Sequence, residues 1–134
     1  MGETGVLICD DVAGIRELLR TVVGLSPRLR VVGEASNGRE AIAEAARTQP
    51  DVVLLDLVMP YMDGLEALTE IRRVAPAARV VILSGLDASA MAEEALKLGA
   101  VGYLEKGADP AMIAATVEEV AGIVVQPHQK PEVE

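Results

Sequence analysis

The stretch VVLLDLVMPYMDGLEAL, residues 52–68, decides how the chain is read. Four apolar residues, Val52 to Leu55, run without alternation, as a strand buried on both faces does. The run ends on Asp56, a carboxylate with no helix directly behind it to cap. Pro60 pushes Met59 toward extended backbone, so a short loop has to follow. The chain then restarts as a helix at Asp63-Gly64, with Glu66 three residues beyond Asp63 in a capping arrangement. The strand therefore delivers the Asp56 carboxylate to an open loop.

The same alternation of short apolar run and helical pattern fills the chain. Strands are expected at 6–9 (VLIC), 30–35 (RVVGEA), 52–55, 79–84 (RVVILS) and 101–104 (VGYL). A first helix over 12–25 carries Ile15, Leu18, Leu19, Val22 and Leu25 at helical spacing. Asn37, with Glu40 three residues on, starts a second helix whose inner face is Ala41, Ile42, Ala45 and Ala46. The third presents Leu65, Leu68, Ile71 and Arg72. A fourth spans 88–98 and stops at Gly99, a C-terminal glycine. Asp109 followed by Pro110 caps a fifth that runs to Gly122. Five strand–helix units predict an α/β domain, a parallel sheet covered by helices on both faces. Residues 1–123 read as one domain, and 124–134, polar and proline-containing, as a tail or linker. The only histidine, His128, falls there as a solvated residue.

The bulk properties narrow the function. With 134 residues and 51% apolar composition the chain builds one compact core. No run of about 18 uncharged apolar residues predicts a membrane span. The start, MGETGVLICDD, lacks the basic region and apolar stretch of a secretory signal. A single cysteine, Cys9, excludes an internal disulfide and fits a reducing cytoplasm. Net charge is −9, which repels a phosphate backbone, so the domain itself is not expected to bind nucleic acid.

In parallel sheets of this kind ligands bind at the carboxyl ends of the strands. There the sequence places Asp10 and Asp11 after the first strand, Asp56 after the third, Ser84 at the end of the fourth and Lys106 after the fifth. Each residue has an ordinary use taken alone. Asp10–Asp11 suits a helix cap, Asp63 a cap, Ser84 a turn and Lys106 a solvated loop. Together they put three carboxylates, a hydroxyl and an ammonium on one edge. Three close carboxylates repel, and one lysine cannot neutralise them. A hard divalent cation with oxygen ligands, Mg²⁺, can. A carboxylate beside it could attack phosphorus to give an acyl phosphate, with Ser84 and Lys106 holding the other oxygens. The set points to phosphoryl transfer onto an aspartate.

These segments resemble the receiver domain of two-component response regulators. LICDDVAGIRELL is similar to the family's acidic-pair segment, DVVLLDLVMPYMDGLEAL to its phosphoacceptor segment, VVILSG to its hydroxyl segment and GAVGYLEKGADP to its lysine segment. The likeness covers residues 5–123 and is greatest to the subgroup whose receivers precede a helix-turn-helix domain. It implies a flavodoxin-like (βα)5 fold with strand order 2-1-3-4-5. It implies Asp56 as phosphoacceptor, Asp11 as a direct Mg²⁺ ligand, Asp10 acting largely through water and the Val58 backbone carbonyl as a further ligand. Ser84 and Lys106 would contact the phosphoryl group, and Tyr103 would be an aromatic switch.

The resemblance further implies a signalling domain rather than an enzyme, with weak autophosphatase chemistry. The donor would be a sensor histidine kinase. The face made by the fourth helix, fifth strand and fifth helix would change affinity for a partner, and a homodimer through that or a similar face is compatible with it. Two departures stand out: Gly107 follows Lys106 where many receivers have proline, and Ser84 replaces the commoner threonine. A phosphorylation-independent interaction module is the alternative, and the intact set of Asp10, Asp11, Asp56, Ser84 and Lys106 argues against it. An aspartate-nucleophile phosphatase would need a second acid two residues after the nucleophile, and that position is Val58.

Overall fold

The computed structural model describes residues 3–85 and 89–122, without the side chains of Ser84 and Ser89. Five strands alternate with five helices: β1 (Thr4–Cys9), α1 (Ala13–Val23), β2 (Leu29–Ala35), α2 (Gly38–Thr48), β3 (Val52–Asp56), α3 (Gly64–Val74), β4 (Arg79–Ser84), α4 (Ser89–Lys97), β5 (Gly102–Glu105) and α5 (Pro110–Val120). All strands pair in parallel in the order β2-β1-β3-β4-β5. This is the expected flavodoxin-like fold.

Both faces of the sheet are covered, so the central strands alternate between two apolar environments instead of apolar and polar ones. Leu7, Cys9, Val53, Leu55, Val80 and Ile82 face one side, where Ala41 and Ala45 of α2, Leu68 and Ile71 of α3 and Ala95 of α4 pack. Val6, Ile8, Val52, Leu54, Val81 and Leu83 face the other, against Leu19, Val22 and Val23 of α1 and Ile113 and Val117 of α5. Cys9 is a small buried strand residue, and burial comes first in pushing its thiol far above the ordinary range, with Glu44 and Asp10 adding to it.

Several boundaries differ from the sequence expectation. β1 begins at Thr4, because backbone pairing with Leu29 extends it beyond the apolar residues. β5 runs one residue later than 101–104. α1 ends at Val23, short of the expected 25; Leu19 and Val22 fill the core as expected, joined by Val23, whereas Leu18 and, past the helix end, Leu25 are exposed. Ala46 of α2 and Arg72 of α3 also turn outward. The fourth helix is described from Ser89; Ala88 and residues 123–134, including the tail and His128, lie outside the described residues.

The helix starts are specified by local chemistry. Asn37 accepts the Glu40 N–H at 2.9 Å, and Glu40 reaches back to the Ser36 N–H and hydroxyl, both at 2.8 Å. Asp63 accepts from Leu65 rather than from Glu66, so its cap is an i to i+2 contact and not the reciprocal box that Glu66 suggested. Asp109 does the same with Ala111, with Pro110 opening α5. The ordinary use of Asp10 or Asp11 as a cap for α1 is not realised: Val12 is the N-cap, with no side-chain cap hydrogen bond.

Candidate functional site

The sheet register builds the site. Cys9 pairs with Leu55, so the next residues, Asp10 and Asp56, stand side by side at the carboxyl edge. Asp56 pairs with Leu83, and Ser84 with Glu105, so Lys106 emerges one residue past the end of β5 toward the same edge. Asp10 and Asp56 are buried, Asp10 completely and Asp56 to 2% exposure. Asp11 is exposed at the mouth. One carboxylate oxygen from each of the three lies within 4.8 Å of the others.

Lys106 reaches into this cluster. Its Nζ lies 2.9 Å from Asp10 Oδ2 and 3.0 Å from Asp56 Oδ2, donating a hydrogen bond to the latter. Burial lowers the lysine's proton affinity, but the two carboxylates outweigh it and hold the ammonium above its ordinary range. Asp56 moves the other way from most ion-paired acids. Burial comes first and raises its pKa; the Val58 N–H and Lys106 oppose this, and Asp10 adds to it. Asp10 Oδ2 is buried and meets the ammonium alone among the described residues.

The loop after Asp56 is held rather than merely open. Leu57 and Met59 are buried against the core and Val58 points out between them. The Val58 N–H donates to Asp56 Oδ1 at 2.9 Å. Gly64 is more than part of a cap: a Cβ there would meet the Leu57 carbonyl oxygen at 2.3 Å and its Cα at 2.5 Å. The helix start can therefore lie directly on the loop that follows Asp56 only because residue 64 has no side chain. Tyr61, exposed in the same loop, adopts a φ of 77°, a conformation uncommon outside glycine. Sequence reasoning missed these anchors. The Asp-Gly pair was visible, but its packing depends on the loop's path.

Of the predicted residues, Asp10, Asp11, Asp56 and Lys106 come together. Val58 adjoins them through its backbone. Ser84 ends β4 at the same edge, and its side chain lies outside the described residues. Tyr103 is apart from the cluster, half exposed on β5. No peptide bond among the described residues is cis, including that after Lys106.

Residues 6–118 match the model of the response regulator receiver domain. The chain belongs to that family. It is 35% identical to the chemotaxis protein CheY of Thermotoga maritima over 116 residues, 87% of this chain and 96% of CheY. It is 37% identical to the nitrate/nitrite response regulator NarL of Escherichia coli K12, covering 87% of this chain but 54% of NarL. The solved signal receiver domain of the putative response regulator NarL from Mycobacterium tuberculosis superposes with a TM-score of 0.84 at 34% identity, over 91% of this chain and 98% of that one. The chain is thus a signalling domain of two-component systems, similar to the receivers of NarL-type transcription regulators. It spans nearly the full length of CheY and about half of NarL.

Receiver domains bind Mg²⁺ at an acidic pocket and are phosphorylated by histidine kinases. The residues here fit that ion. Three carboxylates face one ammonium, and the buried Asp10 Oδ2 has acceptor capacity that Lys106 leaves unused. A divalent oxygen-seeking cation meets both conditions. No described helix is long and apolar enough to cross a membrane.

Proposed function

We propose that Asp56 accepts a phosphoryl group from the phosphohistidine of a sensor histidine kinase, and that the domain passes the change to an output as a switch. Support comes from Lys106, whose single ammonium bridges Asp10 and Asp56 at 2.9 and 3.0 Å beside the exposed Asp11. An Asp56 carboxylate oxygen attacks phosphorus, the O–P bond forms and the P–N bond breaks. The imidazole leaves with its electron pair and takes up a proton. The product is an acyl phosphate. Lys106 already touches Asp56 Oδ2, so it needs little movement to pair with the new phosphoryl oxygens. Asp10, Asp11, Asp56 and the Val58 carbonyl would hold Mg²⁺, which when bound neutralises charge on the phosphoryl group.

The Ser84 hydroxyl is assigned a hydrogen bond to the phosphoryl group, and Tyr103 the role of the residue that reports it. Tyr103 stands half exposed on the edge strand β5, where a turn inward changes the α4–β5–α5 face. Phosphorylation biases an equilibrium between two arrangements of that face. The partner met there is a downstream protein or a second copy of the chain. We place the domain in the cytoplasm and read it as a phosphoacceptor with only slow autophosphatase chemistry. Residues 1–123 form the receiver and 124–134 a tail or linker. In a longer protein of the NarL kind the output is transcription through an attached DNA-binding domain.

Intact-mass spectrometry after incubation with acetyl phosphate and Mg²⁺ tests the assignment. The wild-type chain gains one phosphoryl group and Asp56→Asn gains none. Equal uptake by the two refutes Asp56 as acceptor.

A further inference from the structure

The start of α1 runs against ordinary helix chemistry. Its N-cap, Val12, offers no side-chain acceptor and its first turn has no acidic residue. Its second residue is Gly14, a poor helix former. Its fourth is Arg16, a cation near the helix end that favours anions. Something outside the helix has to hold this turn.

Arg16 itself provides the link. Its Nη1 donates to the backbone carbonyl of Asp10 at 2.8 Å. Its Nε lies 3.4 Å from Glu34 Oε1 on β2, and the other oxygen of Glu34 pairs with Arg20 at 2.6 Å. Arg16 is 21% exposed and Glu34 30%, so the pair is partly screened from solvent. Glu40, at the start of α2, is held low first by its hydrogen bonds from Ser36, and the charge of Arg16 adds to them. One guanidinium thus meets the end of β1, an acid on β2 and the field of an acid on α2. A rigid fork of donors can serve two partners at once where a lysine ammonium cannot match the geometry.

The carbonyl that Arg16 holds belongs to the peptide between Asp10 and Asp11. A peptide is planar, so fixing its oxygen fixes the orientation of the whole unit. The Asp10 side chain is fixed separately, by the Val12 N–H at 2.9 Å from Oδ1. From this geometry we infer that Arg16 is a positioning residue: it holds the Asp10–Asp11 peptide plane from outside the pocket, with Glu34 orienting it, and so raises the affinity of the acidic pair for a divalent cation. The inference rests on reading Asp10, Asp11 and Asp56 as a cation site.

The sign of the effect separates positioning from plain electrostatics. Arg16 is a positive charge close to a cation site, and its charge alone weakens cation binding. Removing it should then tighten Mg²⁺. Positioning predicts the reverse. Mg²⁺ alone is titrated into the 134-residue chain by calorimetry and amide NMR, with wild type, Arg16→Gln, Arg16→Lys, Glu34→Gln and Asp11→Asn compared. Arg16→Gln is expected to weaken Mg²⁺ by about ten-fold, the low end for an outer partner of a metal ligand. Arg16→Lys keeps the charge but loses the fork, and weakens it too. Glu34→Gln gives a smaller loss in the same direction. Unchanged or tighter binding by Arg16→Gln, or wild-type binding by Arg16→Lys, overturns the inference. If Arg16→Gln fails to fold, Arg16→Lys, which leaves the charge in place, decides by the same criterion. Asp11→Asn is the control for the site. If it binds Mg²⁺ as wild type does, the cation reading fails; if it is weakened and the Arg16 variants are not, positioning alone fails.

Discussion

Asp10 and Asp56 at the strand ends, and Asp63 and Asp109 at the helix starts, make the same local contact. Each uses Oδ1 to accept the backbone N–H two residues on: Val12, Val58, Leu65 and Ala111, all at 2.8 to 2.9 Å. The four differ in where the second oxygen goes. Asp63 and Asp109 are exposed, and water can satisfy what the turn leaves over. Asp10 and Asp56 are buried, and their second oxygens converge on Lys106. The local turn is therefore neutral with respect to function. Burial at a shared sheet edge turns the same motif from a cap into a charged pocket, because unpaired charge is costly only away from water.

Lys106→Met should give the largest stability effect. It leaves Asp10 and Asp56 buried without their cation and should cost roughly 3 kcal/mol, the low end for a broken buried pair because Lys106 keeps some exposure. Denaturant unfolding in metal-free buffer measures it. A cost near zero means that the two carboxylates are not both charged. Asp11→Asn comes next, with Mg²⁺ binding weakened by at least the roughly 10-fold expected even of an outer partner and with stability nearly unchanged. Asp63→Ala and Asp109→Ala should each cost about 1 kcal/mol, the usual loss of a cap, and leave Mg²⁺ affinity as in wild type. A change in Mg²⁺ binding from either would erase the distinction between caps and pocket.

The smallest effect concerns pH. Burial raises the Asp56 pKa, so protonation favours the folded state. That contribution is present below the ordinary aspartate range and lost as pH rises through the raised value. Asp56→Asn has no such group. In metal-free buffer the melting temperature of wild type relative to Asp56→Asn should fall as pH rises across that window. The opposite slope implies that Lys106 pairing, not burial, dominates Asp56.

Much of this was legible in the sequence because it depends on order and periodicity. Apolar runs placed β3 and β4 closely, and parallel topology carried Asp10, Asp11, Asp56 and Lys106 to one edge without any distance being known. The unread features depend on the path of the chain in space. The extension of β1 to Thr4 comes from pairing with Leu29, which leaves no apolar signal. The need for glycine at 64 arises from Leu57 crossing it. Arg16 and Glu34 look like unrelated surface charges until β2 is laid beside α1. Conversely, the acidic pair at Asp10–Asp11 has the composition of a helix cap, and only the chain's path shows that it is not one, with Val12 as the N-cap and Asp10 buried.

The most direct test of the central claim locates the modified residue. Aspartyl phosphate formed with acetyl phosphate and Mg²⁺ is reduced by borohydride to homoserine, and peptide mapping finds the converted position. The account predicts homoserine at residue 56 alone, with Asp10, Asp11, Asp63 and Asp109 unmodified. Conversion at any of those four, or none in a protein that has gained phosphate, contradicts it.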